Sequence, residues 1–292
     1  MRSLLFVPGD DEKKLAKGAS SGADVLLIDL EDAVAPARKA AARAIVADYL
    51  KSRAGDPSQA LYVRINALET GLTDADLDGV MPGAPHGIML PKAGHGRDIA
   101  HLGAKLAVRE AETGLPDGGT QIVAIAPEQA NAFFGMGTFA GASARLAGLT
   151  WGAEDLAADL GALGSRDAEG RFRPPMHTAR MACLYGAAAA GVAAIDTVFT
   201  AIKDEAGLRA EAEEARSFGY TAKLAIHPAQ VAIINEVFTP SAEAVAHARA
   251  IVAAFAEQPG AGVLNINGKM VDRPHIRAAE ALLARAAAAG LG

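Results

Sequence analysis

Eight short apolar runs rich in Val, Ile, Leu and Ala punctuate the chain, separated by longer segments of helical periodicity. They are Ser3–Pro8, Asp24–Leu30, Ala60–Asn66, Gly87–Lys92, Gln121–Pro127, Leu146–Gly152, Ala194–Phe199 and Lys223–Pro228. Helix-like stretches lie between them. Examples are DDEKKLAKGA, PARKAAARAIVADYL with Pro36 suited to a first turn, and EAGLRAEAEEARSFG closing on Gly219 as a C-terminal cap. Alternating strand and helix implies a parallel sheet, and strands that are apolar throughout imply burial on both faces. Eight such units predict an α/β fold, a (β/α)8 TIM barrel, with a doubly wound open sheet as the alternative. The single glycine in VPGDDEKK deprives a dinucleotide-binding version of its fingerprint.

The barrel is expected over residues 1–238 and a C-terminal helical extension over 239–292. In that tail SAEAVAHARAIVAAFAEQ reads as a helix, and a final Ala-rich helix starts from about His275. The segment between them, PGAGVLNINGKMVDRP, reads as an irregular flap or an arm reaching a neighbouring subunit.

Composition narrows the function. Of 292 residues, 51% are hydrophobic and 21% charged, enough for a sizeable core. The net charge of -6 gives no basic surface for nucleic acid, although it leaves room for a local basic pocket around a phosphorylated ligand. One cysteine, Cys183, rules out an internal disulfide and a cysteine-built zinc site; in its Ala-rich helical run it reads as a buried, inert thiol. The apolar run before Pro8 is too short for a signal peptide or a membrane span, so a cytoplasmic enzyme or binding protein with no membrane partner is expected.

In a TIM barrel the loops after the strands form the active face, so the last residues of each apolar run carry the chemistry. There stand Asp29, Glu31 and Asp32, then Arg64 and Asn66, Lys92, Glu128, Glu154 and Asp155, Asp196 and His227. Carboxylates converging on one mouth repel unless a cation compensates. Oxygen ligands without a His or Cys cluster favour Mg2+, with Mn2+ as a substitute, and Arg64 has the fork that grips a carboxylate. Metal plus arginine suggests a small oxo acid, chelated through carbonyl and carboxylate. Each residue has a plainer alternative: Asp29 and Asp32 could cap a helix or pair structurally, Lys92 could be solvated, and His227 before Pro228 could shape a turn. Arg64, if buried, needs an anionic partner, which could equally be a protein acid.

The segments LLFVPGDDEKKLAKGASSGADVLLIDLEDAVAPARKAAAR, YVRINALET, LPKAG, LAGLTWGAEDLAADLGA, TAKLAIHPAQVAIINEVFTPS and GKMVDRPH, in this order, resemble the citrate lyase β-subunit-like family of the HpcH/HpaI aldolase superfamily. That family includes malyl-CoA, methylmalyl-CoA and citramalyl-CoA lyases. The resemblance implies a trimeric or hexameric TIM barrel that uses Mg2+ to cleave or form a C–C bond beside a CoA thioester. It further implies that Glu128 and Asp155 hold the metal, with Glu128 and Glu154 near the substrate, and that Arg64 grips the oxo-acid carboxylate. Asp272 would be an acid/base from an adjacent subunit, and Phe6, Val7, Lys17, Ile226 and His227 would contact CoA. Asp29, Glu31, Asp32 and Lys92 would then stand behind the metal site, ordering waters and fixing Arg64.

Two positions depart from the family pattern. Ala126-Pro127-Glu128-Gln129 stands where relatives read like IET or TET, and Asp11 stands where some malyl-CoA lyases have an arginine. The expected reaction is cleavage of a β-hydroxyacyl-CoA such as malyl-CoA or citramalyl-CoA into an acyl-CoA and a 2-oxo acid, or the reverse condensation. A malyl-CoA thioesterase, a citrate lyase β subunit acting on an acyl-carrier thioester, and a non-catalytic binding paralogue are the alternatives.

Overall fold

A computed structural model describes residues 1–266 and 268–291. Its core is a closed barrel of eight parallel strands, each hydrogen-bonded to its neighbours in sequence, with the eighth closing on the first. The strands are β1 (Ser3–Pro8), β2 (Val25–Asp29), β3 (Ala60–Arg64), β4 (Gly87–Leu90), β5 (Gln121–Ile125), β6 (Leu146–Thr150), β7 (Ala193–Asp196) and β8 (Ala222–Ala225). The expected TIM barrel is therefore present. Several of the apolar runs overshoot their strands at the C-terminal end, because the ladder stops before hydrophobicity does.

Strand alternation sorts the side chains into two cores. Leu4, Val25, Leu27, Tyr62, Met89, Val123, Ile125, Ile195 and Leu224 fill the inside of the barrel. Their neighbours, among them Leu5, Leu26, Ile28, Val63, Leu90, Ala124 and Leu149, pack outward against the helices. The helices are α1 (Glu12–Ala19), α2 (Lys39–Ser52), α3 (Thr73–Val80), α4 (Gly96–Thr113), α5 (Ala130–Gly135), α6 (Ala153–Asp159), α7 (Pro174–Ala190), α8 (Glu205–Phe218) and α9 (Pro228–Phe238).

Local signals explain several boundaries. Pro36 opens a 3-10 turn that runs into α2, and α8 is capped at its start by Asp204 and closed by Gly219 at φ 117°. Asp11 is the N-cap of α1, its carboxylate accepting the Lys14 N–H at 3.0 Å. That contact gives Asp11 a structural role at the start of α1, and it holds the carboxyl below its ordinary range.

Beyond the barrel lie α10 (Ala242–Glu257), a hairpin of β9 (Val263–Ile266) and β10 (Lys269–Asp272), and α11 (Arg273–Ala288). They share a small core of Ala248, Ile251, Phe255, Val271 and Ala279. The segment expected to be irregular is thus a two-stranded antiparallel hairpin. Asn-Gly at 267–268, within the run LNINGKMV, is a hairpin signal in the sequence, and Gly268 has φ 80°.

Candidate active site

The inward rows of the barrel run out onto one mouth. On β2 the row Val25, Leu27 continues to Asp29; on β3 Tyr62 is followed by Arg64; on β1 Leu4 is followed by Phe6. Asp29 and Arg64 are direct partners in the register between β2 and β3. Proximity and chemistry then make them a bidentate pair: Arg64 Nε donates to Asp29 Oδ1 at 2.8 Å and Nη2 to Oδ2 at 2.6 Å. Asp29 also accepts the backbone N–H groups of Glu31 and Ala33, so one carboxylate both shapes the loop and fixes the arginine.

Arg64 is largely buried, with Phe6 stacked 4.8 Å beneath its guanidinium. Burial alone would lower its pKa, but the hydrogen bonds and charge of Asp29, followed by the charge of Glu31, raise it. Nη1 stands 2.9 Å from Glu31 Oε2 without the alignment of a hydrogen bond, leaving that buried oxygen with charge pairing only. Asp32 is exposed and 3.7 Å from Nη1. Of five guanidinium donors, Asp29 takes two, so donors remain for a ligand carboxylate.

Lys92 and Glu128 extend this cluster across the mouth. Lys92 has φ 53°, a left-handed conformation that costs a non-glycine residue about 1–2 kcal/mol. The conformation sends its backbone N–H to Glu128 Oε1 while its ammonium pairs with Glu31. Glu128 is buried, at 2% exposure. Burial pushes its carboxyl up to about 8, with Asp155 and Glu31 adding to the rise and the Lys92 N–H opposing it.

Gly152 holds the space between the two acids. A Cβ there would lie 2.8 Å from Glu128 Cβ, 3.0 Å from Glu128 Oε2 and 3.7 Å from Asp155 Oδ2. Both carboxylates therefore face one small cradle that only glycine leaves open. Among the described residues no three Asp, Glu, His or Cys side chains form a ready-made cage; Glu128 and Asp155 are a pair. A hard divalent cation that keeps water and ligand oxygens in its remaining positions suits such a donor set.

A groove of about 320 Å³ leads away from the mouth, lined by Phe6, Val7, Lys14, Lys17, Ile226 and His227 among others. Phe6, Val7, Pro8 and Ile226 also line the adjoining cavity of about 450 Å³ that contains Asp29, Asp32 and Arg64. Groove and mouth are thus continuous. Sequence reasoning missed Lys14, one turn before Lys17; the helical spacing of the two lysines could have revealed it. His227 does two things: it lines the groove and caps α9, its Nδ1 accepting the Ala229 N–H at 3.2 Å.

Four sequence candidates lie elsewhere. Asp196 follows inward-facing Ile195 by one residue, so it points out of the barrel and pairs with Arg180 and Lys223 behind the sheet. Counting it among the mouth carboxylates ignored strand parity. Glu154 is exposed and accepts the Ser165 hydroxyl at 2.7 Å, and Asn66 binds Asp76. Asp272 sits where β10 meets α11, 2.6 Å from His275 Nδ1, with no described contact to the mouth.

A profile described as HpcH/HpaI aldolase/citrate lyase matches residues 2–228, and one described as a C–C bond lyase of the TIM-barrel fold matches 177–291. The chain belongs to the HpcH/HpaI aldolase/citrate lyase family. Among its relatives in this family is a (3S)-malyl-CoA thioesterase of Cereibacter sphaeroides, 36% identical over 98% of this chain and 95% of that one. The citrate lyase subunit beta of Leuconostoc mesenteroides is 34% identical over 97% and 92%. A crystal structure of the protein CitE from Mycobacterium tuberculosis, in complex with magnesium, acetoacetate and coenzyme A, superposes with a TM-score of 0.74 and 34% identity, covering 98% of each chain. No helix among the described residues is long and apolar enough to cross a membrane.

Proposed function

We propose that this protein is a Mg2+-dependent carbon–carbon lyase that cleaves a β-hydroxyacyl-CoA, of the malyl-CoA or citramalyl-CoA kind, into an acyl-CoA and a 2-oxo acid, or runs the condensation. The observation that carries the reading is the Glu128–Asp155 cradle over Gly152, linked through Lys92 and Glu31 to Arg64, whose cavity adjoins a groove bearing two lysines. Magnesium is bound in the solved structure of the 34%-identical relative, together with coenzyme A and acetoacetate.

Glu128 and Asp155 would hold the ion, which when bound supplies Lewis-acid polarisation of ligand oxygens. Arg64, kept rigid by Asp29 and Phe6, binds the carboxylate of the oxo-acid half. Lys14 and Lys17 attract the phosphates of CoA, while Phe6, Val7 and Ile226 cover its apolar arm. In cleavage the β-hydroxyl gives up its proton to water at the mouth, its oxygen electrons form the carbonyl of the oxo acid, and the electron pair of the breaking C–C bond passes to the thioester as an enolate. A carboxylic acid then protonates the α-carbon.

Asp272 is assigned that proton. Among the described residues the only side-chain partner of Asp272 is His275, which supports delivery by a neighbouring subunit of a homo-oligomer, trimeric or hexameric, acting in the cytoplasm. Phe134 and Leu163, 88% and 94% exposed, are apolar side chains that such a neighbour could cover. Mixing Asp272→Asn chains with Glu128→Ala chains is expected to restore activity to hybrid oligomers, each variant alone being inactive; mixtures that stay inactive refute delivery in trans.

The direct test incubates the protein with Mg2+, acetyl-CoA or propionyl-CoA, and glyoxylate, pyruvate or oxaloacetate, and identifies products by mass. A new β-hydroxyacyl-CoA formed by one pair, and lost in Glu128→Ala, is expected. No condensation and no cleavage with any pair sinks the lyase reading. The malyl-CoA thioesterase relative at 36% identity favours a second reading, in which water completes a hydrolysis. Free CoA released from malyl-CoA without glyoxylate would select it.

Gly152→Ala supplies a geometric check. Its methyl would sit 2.8 Å from Glu128 Cβ, so Mg2+ affinity measured by calorimetry should fall about 10- to 100-fold. Unchanged affinity would remove the cation from this cradle.

A further inference from the structure

We propose that Asp196 is a positioning residue that acts through the indole of Trp151 to hold Gly152 and Asp155 in register with Glu128; the inference rests on the cation site proposed above. Asp196 closes β7 on its outer face and is completely buried. Its Oδ1 accepts Trp151 Nε1–H at 3.0 Å and Arg180 Nε–H at 3.1 Å. Its Oδ2 accepts Arg180 Nη2–H at 3.0 Å and Lys223 Nζ–H at 2.9 Å. Trp151, Arg180 and Lys223 are also fully buried.

Arg180 and Lys223, which also pair with Glu214 and Glu211, already satisfy the charge of Asp196, so charge alone gives no reason for the contact to a neutral indole. The bond to Trp151 has a mechanical consequence instead. It fixes the orientation of the residue immediately before Gly152, at the turn from β6 into α6. Phe172 meets the same indole edge-on, with ring centroids 5.0 Å apart. Arg166 lies 3.8 Å over Phe172 and donates to Glu211, which accepts from Lys223, which returns to Asp196. The indole is therefore held by a closed circuit linking β7, α8 and the loop after α6.

Tolerance at the far end is small. The Cα of Gly152 already approaches Glu128 so closely that a single added methyl would collide. A tilt of Trp151 that moved Gly152 by a fraction of an ångström would change the spacing of the Glu128 and Asp155 oxygens. Partners one step behind ligand side chains commonly set metal affinity in this way.

Trp151 is the only tryptophan in the chain, so its emission and near-ultraviolet circular dichroism report this link directly. Mg2+ affinity is measured by calorimetry on the full-length wild type, Trp151→Phe, Asp196→Asn and the control Glu214→Gln, which removes only a half-exposed partner of Arg180. In the wild type, Mg2+ should shift the Trp151 emission. Trp151→Phe keeps Asp196, Arg180 and Lys223 and should weaken Mg2+ about tenfold, lowering kcat while KM for the acyl-CoA stays within about twofold. Asp196→Asn should match it and alter the tryptophan signal, whereas Glu214→Gln should bind as the wild type does. If Asp196→Asn does not fold, Trp151→Phe decides. Folded Trp151→Phe with wild-type affinity and kcat overturns the inference and leaves the lyase reading intact. A wild type that binds neither Mg2+ nor Mn2+ overturns the cation site itself, before any variant is compared.

Discussion

Glu128→Gln is expected to lower turnover about a thousandfold or more while making the metal-free protein more stable at alkaline pH. The two effects share one cause. Glu128 is buried beside Asp155 and Glu31, and its carboxyl is pushed up to about 8. A carboxyl whose folded pKa exceeds the unfolded value of 4.5 contributes its stability fully below that unfolded value. That contribution is lost as pH rises through the window up to about 8, at about 1.4 kcal/mol per unit. Glutamine never ionises, and its carbonyl still accepts the Lys92 N–H. At pH 8.5 without metal, the variant should melt about 10 °C or more above the wild type. The sign reverses with the cation present, because binding Mg2+ requires the ionised carboxylate. Wild-type affinity should therefore rise about tenfold per pH unit up to about 8 and flatten above it. Calorimetry from pH 6.5 to 9 checks this; a flat affinity would mean that Glu128 is not a ligand.

Arg64 should show the second large effect, and two substitutions separate its roles. Arg64→Met removes the cation between Asp29 and Glu31, both buried, and leaves uncompensated charge at the mouth. Breaking a buried pair in this way costs about 3–5 kcal/mol, which urea denaturation would read as a lower midpoint. Arg64→Lys keeps the charge but loses the fork that engages Asp29 through two parallel bonds. It should be less destabilised yet lose about a hundredfold in kcat/KM for the oxo-acid half. Equal stability and equal activity in Arg64→Lys would show that a point charge suffices and that the bidentate geometry is incidental.

The barrel was legible because its signal repeats. Each strand is an apolar run too short to be anything but buried, and each is separated by a helix-length amphipathic segment, so an error in one unit does not disturb the count. The hairpin of the extension escapes the apolar pattern because its strands are short and largely exposed. Asp196 was misplaced for a different reason. Type and position at a strand end put it among the mouth acids, but side chains alternate along a strand, and Ile195 already occupied the inward place.

Which residues are chemically equipped for the reaction is written in the chain: where strand alternation turns the last residue inward, Asp, Glu, Arg and Lys can place charge only where the barrel opens. Sequence order also carries the family. Pairing is decided in three dimensions. That Asp29 rather than a ligand closes one edge of Arg64 depends on the β2–β3 register, and that Glu128 and Asp155 face one cradle depends on Gly152 lacking a side chain. The rise of Glu128 to about 8 depends on how many atoms exclude water from it. These are distances and dielectric surroundings, which residue types do not encode and which exist only once the barrel has closed.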